Sequence, residues 1–101
     1  MEPPEVRRVL DYGQPLRGNR VILFLAPGSG RSAVVAGRRV GGAVQRNRAR
    51  RILREAWRQV APVAADRTDV VLVARAGIRG ARTQDLVGEM TELLRRRTTR
   101  P

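Results

Sequence analysis

The stretch from Ala43 to Val60 concentrates the chemistry of this chain in one row of side chains. On a helix with successive residues about 100° apart, Ala49, Ile52, Leu53, Ala56, Trp57 and Val60 fall in one arc. Arg46, Asn47, Arg50, Arg51, Arg54 and Arg58 fall in the opposite arc. A guanidinium is a planar fork of donors that pairs bidentately with phosphate and stacks on bases. At 1.5 Å per residue, Arg46 to Arg58 spans about 18 Å. Phosphates of one strand lie about 6–7 Å apart, so the row can meet several at once. If six were neutralised on structured RNA, log affinity would fall against log salt with a slope of about −4 to −5. Arginines four residues apart on one face repel by a few tenths of a kcal/mol per pair. Glu55, four residues after Arg51, can balance only one of them. Most charge runs are simply solvated faces. The scarcity of acidic neighbours here favours an anionic partner, with nucleic acid first.

Two other readings of the helix are weaker. A membrane-surface helix needs a free apolar face, and this one is required to pack a sheet. A DNA-reading helix-turn-helix unit is normally helical on both sides, whereas strand patterns flank this segment. The whole chain shares its bias, with 101 residues, 21 basic against 9 acidic, and a formal net charge of +12. Every basic residue is Arg. At 42% hydrophobic residues, the chain has enough apolar material for one modest core. The reading is one domain over residues 1–101.

Hydrolytic chemistry is poorly provided for. The chain has no His and no Cys, so the commonest general base and any thiolate are missing. No catalytic residue and no protein-held metal site is expected. Asp66 and Asp69 could hold Mg²⁺ as a pair, but two exposed carboxylates make a weak site, and loop capping suits them better. Gly28-Ser29-Gly30 and Gly37 to Gly42 lack the spacing of a phosphate-cradling loop and read as turns. The longest apolar run, Val21 to Pro27, is too short to span a bilayer. The start Met1-Glu2-Pro3-Pro4 lacks the features of a secretion signal, so the expected location is the cytoplasm.

The remaining elements must position the basic face. Val6, Val9 and Leu10 share one helical face in Glu5 to Tyr12, which Pro4 can open and Gly13 can stop. Arg20 to Ala26 and Arg31 to Ala36 read as strands, joined across Pro27 to Gly30 as an antiparallel hairpin. A short third strand is possible near Arg38 to Val40. Ala43 to Val60 is the long helix, with Pro62 just past its end. Ala61 to Thr68 is a loop, and Asp69 to Arg75 is a central strand covered on both faces. Gly77 to Arg82 is a basic loop. Thr83 is a good N-cap for a last helix containing Leu86, Met90, Leu93 and Leu94. The order α-β-β-β-α-β-α predicts an α+β, two-layer sandwich of three helices on a mixed sheet of about four strands.

The run from Arg38 to Glu55 strongly resembles the hallmark of the bacterial ribonuclease P protein family. That hallmark combines a basic pair (Arg38-Arg39), a glycine turn (Gly41), an Ala-Val step (Ala43-Val44) and an Arg-Asn-Arg triplet (Arg46-Asn47-Arg48). A second basic pair (Arg50-Arg51) and an Arg-Glu (Arg54-Glu55) complete it. Asp69 to Arg75 looks like the family's next strand, and the element order agrees over nearly the whole chain. The resemblance implies a left-handed β-α-β crossover. It also implies a role beside a catalytic RNA that removes the 5′ leader of precursor tRNA with Mg²⁺ held mainly by RNA. The enzyme would then be an endoribonuclease whose chemistry belongs to the RNA. By motif, Arg46, Asn47, Arg48, Arg50, Arg51 and Arg54 would contact the catalytic RNA, as would Arg58 further along the same face. Arg38 and Arg39 would lie near RNA and its metal ions. A cleft between the sheet and the N-terminal helix would hold the single-stranded leader, with Phe24, Val6, Leu10, Arg46 and Asn47 assigned to it. Phe24 could stack a base there or belong to the core. Val6 and Leu10 stand where the family often has aromatics. The implied partners are the catalytic RNA and precursor tRNA, with the protein monomeric in the holoenzyme and neither membrane nor DNA bound.

Overall fold

The structure, a computed structural model, describes residues 1–61 and 67–98. Its elements are α1 (Pro3–Tyr12), β1 (Gln14–Arg17), β2 (Val21–Pro27), β3 (Ser32–Val35), α2 (Ala43–Val60), β4 (Thr68–Ala74) and α3 (Thr83–Thr98). Short 3-10 turns occupy Arg38–Val40 and Ala76–Ile78. The four strands form one sheet in the order β1-β2-β4-β3. β1–β2 and β2–β4 are antiparallel, and β3–β4 is parallel. The α+β class, the three helices and the mixed four-stranded sheet are as the sequence predicts.

The strand pairing departs from the sequence reading. β2 and β3 do not form a hairpin, because β4 lies between them and pairs with both. The composition explains the arrangement. β2 and β4 are the two continuous apolar runs and take the central places, where both faces are covered. β3 is short, with no fully buried residue, and takes an edge. Its loop from β2 closes on β4: Gly28 N–H donates to the Arg67 carbonyl at 2.8 Å, and Val70 N–H to the Arg31 carbonyl at 2.9 Å. The expected third strand at Arg38 to Val40 is a 3-10 turn. The additional strand is β1, whose Pro15 argues against a strand interior but is tolerated at an edge.

β2 and β4 alternate cleanly between two faces. Val21, Leu23, Leu25, Val70, Leu72 and Ala74 share the main core with the apolar arc of α2 and with Leu86, Met90, Leu93 and Leu94 of α3. On the other face Ala26 and Val71 are buried under Val9 of α1, with Val6, Leu10, Phe24, Ala33, Val35 and Val73 half-buried around them. Two helices therefore seal one face, and the single helix α1 covers part of the other.

The element ends show two smaller differences. α3 begins at Thr83 itself, and its entrance is held by the Asp85 carboxylate, which accepts the Arg82 N–H at 2.9 Å. The Thr83 hydroxyl instead donates to Glu55 on α2 at 3.2 Å. β4 begins at Thr68 and ends at Ala74, one residue earlier at each end than expected. The expected helix stop at Pro62 and the position of Asp66 lie outside the described residues.

Candidate nucleic-acid interface

α2 presents its charge because its sequence leaves no alternative. The six residues buried along it are Ala49, Ile52, Leu53, Ala56, Trp57 and Val60, the whole of the apolar arc. Once these face the sheet, the arginines of the opposite arc must face outward. Gly41 sets the approach: its φ of 139° lies where side chains with a Cβ are rarely found, and it follows the Arg38–Val40 turn directly. Asn47, Arg51, Arg54 and Arg58 are exposed, and Arg46 and Arg50 are half-buried. The Arg50 guanidinium donates to the Asn47 side-chain oxygen, which ties two members of the row together.

The two flanks of α2 differ. Toward α3, Arg48 donates to the Ala81 carbonyl at 2.7 Å, Glu55 accepts from Thr83, and Gln59 accepts from Gln84 at 3.3 Å. Glu55 is thus turned to α3, and no ion pair joins it to Arg51. Arg48, assigned to RNA from the motif, has its guanidinium engaged with the loop before α3. Toward β3, Arg54, Trp57 and Arg58 line a groove of about 600 Å³ with Ser32 and Val34.

Five of the described acids are paired with arginines elsewhere in the molecule. Asp11 holds Arg7, Glu89 holds Arg20, Glu5 holds Arg31, and Glu92 holds Arg95 and Arg96. Asp69 holds both Arg8 and Arg31, each at 3.2 Å. Among the described residues, no ion pair involves Arg38, Arg39, Arg46, Arg48, Arg50, Arg51, Arg54 or Arg58. Eight arginines without an ion pair among the described residues thus lie together on α2 and the turn before it.

Asp69 shows how an ion is held when it is structural. It is fully buried. Its carboxylate accepts the N–H groups of Ser29 and Arg31 at 3.1 and 3.0 Å, and the guanidiniums of Arg8 and Arg31. Burial alone would raise its pKa. The backbone donors of Arg31 and Ser29 and the Arg31 guanidinium outweigh burial, and the carboxyl titrates below its ordinary value. A Cβ on Gly28 would lie 2.1 Å from an Asp69 oxygen, so the loop can wrap the carboxylate only with glycine there. Both oxygens are filled by N–H donors and cations, so Asp69 does not fit a Mg²⁺ ligand.

The residues assigned to a leader cleft separate into two places. Phe24, Val6 and Leu10 are together on the half-covered face beneath α1. Arg46 and Asn47 stand on α2, the helix that packs the opposite face. The uncovered end of the α1 face continues into a hollow of about 390 Å³ lined by Asn19, Ile22, Arg39, Val73 and Arg75. Arg75, whose guanidinium donates to the Gly18 carbonyl at 2.9 Å, was not singled out by the sequence. It directly follows β4, a strand whose pattern reports burial only. Arg38 and Arg39 are exposed on their turn.

Fold and charge define a class: small α+β proteins that back an arginine-covered helix with a mixed sheet and leave the other sheet face partly open. A family model described as Ribonuclease P matches residues 2–98, and on that match this chain belongs to the ribonuclease P protein family. It is 40% identical over 97 residues to the ribonuclease P protein component of Chloroflexus aurantiacus, covering 92% of this chain and 72% of that one. The corresponding protein of Herpetosiphon aurantiacus is 33% identical over 95 residues, covering 91% and 77%. The fold is similar to that of the Staphylococcus aureus RNase P protein, with a TM-score of 0.78 at 17% identity over 96% of this chain and 92% of that one. The Thermotoga maritima RNase P protein superposes with a TM-score of 0.73 at 20% identity, covering 89% and 88%.

Proposed function

We propose that this chain binds the catalytic RNA of ribonuclease P through α2 and its preceding turn, and the 5′ leader of precursor tRNA on the sheet face beside α1. The observation that carries the reading is the row of α2 arginines without an ion pair among the described residues, while Asp11, Asp69, Glu5, Glu89 and Glu92 pair with arginines elsewhere. A compact protein tolerates such a field only when polyanions or counterions screen it. In this reading Arg46, Asn47, Arg50, Arg51, Arg54 and Arg58 meet phosphates. Arg48 fixes the helix against the loop before α3, and Arg38 and Arg39 extend the cationic surface. Phe24, half-covered by α1, forms the cleft floor.

The chemistry is an endonucleolytic cleavage carried out by the RNA, with Mg²⁺ bound mainly by RNA. The chain contributes screening and grip. By placing guanidiniums between two polyanions, it lowers the divalent concentration they need to come together. The test is reconstitution of cleavage from catalytic RNA and precursor tRNA at low Mg²⁺. The protein should lower the Mg²⁺ requirement, and the Arg50→Ala, Arg54→Ala double variant should assemble about a hundredfold more weakly, at about tenfold per charged contact. Assembly unchanged by that double variant would refute the assigned face.

A further inference from the structure

The chain has three aromatic residues, one each of Trp, Tyr and Phe. Trp57 is buried against the sheet and Phe24 is half-covered by α1. Tyr12, at the end of α1, is 84% exposed. It borders a cavity of about 400 Å³ at the end of the sheet where β2 finishes and β4 begins, lined also by Gln14, Pro27, Arg67, Thr68 and Arg97. Neither Arg67 nor Arg97 has an ion-pair partner among the described residues, and none of the described residues lining the cavity is a carboxylate. Three separate segments thus bring together an available ring, two guanidiniums, a side-chain amide and a hydroxyl. This place lies away from the α2 row and is not part of the interface described above.

These are the groups that a single unpaired nucleotide requires. A ring face stacks the base, guanidiniums take the flanking phosphates, and an amide and a hydroxyl reach the base edge. An acidic peptide would use the guanidiniums but leave the ring idle. We propose that Tyr12, Arg67 and Arg97 form a second RNA subsite, which holds one unpaired nucleotide of a single-stranded segment. The proposal rests on the reading of this chain as an RNA-binding protein, and its site is independent of α2. The nucleotide can come from the leader of the substrate or from an unpaired stretch of the catalytic RNA, and the chemistry is the same for both.

The experiment titrates the full chain against a fluorescent oligouridylate at two salt concentrations, using Tyr12→Ala, Tyr12→Phe, Arg67→Gln and the Arg50→Ala, Arg54→Ala variant. The expected result is binding about tenfold weaker in Tyr12→Ala and within about twofold of wild type in Tyr12→Phe. Arg67→Gln should lower the salt slope by about 0.7, the share of one phosphate on a single strand. Tyr12 and Arg67 are surface residues, so unchanged thermal unfolding certifies these variants. Cleavage assays in the holoenzyme then assign the source. A higher KM confined to long-leader substrates places the nucleotide in the leader, and weaker assembly places it in the catalytic RNA; either supports the subsite. If Tyr12→Ala binds like wild type while the α2 variant is impaired, the subsite is refuted and the α2 reading stands. If wild type fails to bind the oligomer and the α2 variant assembles normally, the RNA-binding reading itself falls.

Discussion

Arginine does two opposite jobs in this protein, and the regions around Asp69 and along α2 show the difference. Around Asp69, the guanidiniums of Arg8 and Arg31 converge on a buried carboxylate and tie α1 and the β2–β3 loop to β4. Along α2, the same side chain recurs every three or four residues with no ion pair among the described residues. The first arrangement is complete within the chain, so its removal should damage folding. The second is incomplete within the chain, so its removal should damage only what the chain binds. One residue type in one sequence can thus be sorted into structural and ligand-directed copies by the position of the carboxylates.

The sharpest break of this comparison is Asp69→Ala. It leaves two backbone N–H groups and two guanidiniums facing an empty site. Losing one partner of a buried pair typically costs about 3–5 kcal/mol. Arg8 and Arg31 are each 44% exposed and regain water, so the expected loss is about 2–3 kcal/mol. Urea denaturation measures it, and a loss below about 1 kcal/mol would mean that the network is not holding the loop. Next in size is the pH dependence. The folded pKa of Asp69 is depressed, so its contribution is fully present above the unfolded value near 3.9 and disappears as pH falls through the folded one. Stability should therefore drop on acidification below about pH 4. Asp69→Asn should flatten that part of the profile, while Asp11→Asn, at an exposed pair, should leave it nearly intact.

The legibility of the molecule follows the same division. The span of α2 and its buried arc were readable to the residue, because a strong amphipathic period leaves one orientation. The β2–β4–β3 order was not readable. It depends on a loop wrapping a carboxylate about forty residues away, and no local pattern in Pro27 to Arg31 announces that contact. β1 escaped because Pro15 reads against a strand unless its edge position is already known. At the candidate interface, the exposure of Arg51, Arg54 and Arg58 followed from the wheel. The attachment of Arg48 to Ala81 and the turn of Glu55 toward Thr83 depend on the packing of α3 and could not.

On α2, single substitutions sharpen the contrast from the binding side. Arg54→Ala should lower affinity for the catalytic RNA about tenfold and reduce the magnitude of the salt slope by about 0.7–0.9, one phosphate's share. Its unfolding free energy should stay within about 0.5 kcal/mol of wild type, as for surface changes away from special contacts. Arg48→Ala is the informative partner. Its guanidinium is occupied by a carbonyl, so it should change the salt slope less than Arg54→Ala while costing about 1 kcal/mol of stability. The two arginines are six residues apart on one helix, and opposite rankings in the two assays would reverse the assignment of their roles.

The smallest expected effect tests whether pairing alone makes an arginine structural. Arg95 and Arg96 both lie 3.5 Å from Glu92, with side chains 68% and 69% exposed. Glu92 itself is half in water, so solvent already screens the attraction, and holding three long side chains in register costs rotamer entropy. Glu92→Gln should change stability by no more than about 0.5 kcal/mol, and less still in high salt. A loss comparable to that of Asp69→Ala would show that the contact itself, rather than burial of the carboxylate, commits an arginine to the fold. A negligible loss would show that an exposed acid does not by itself commit an arginine to the fold. Burial of the carboxylate would then separate the two jobs, since an exposed acid contributes little to holding a guanidinium in place.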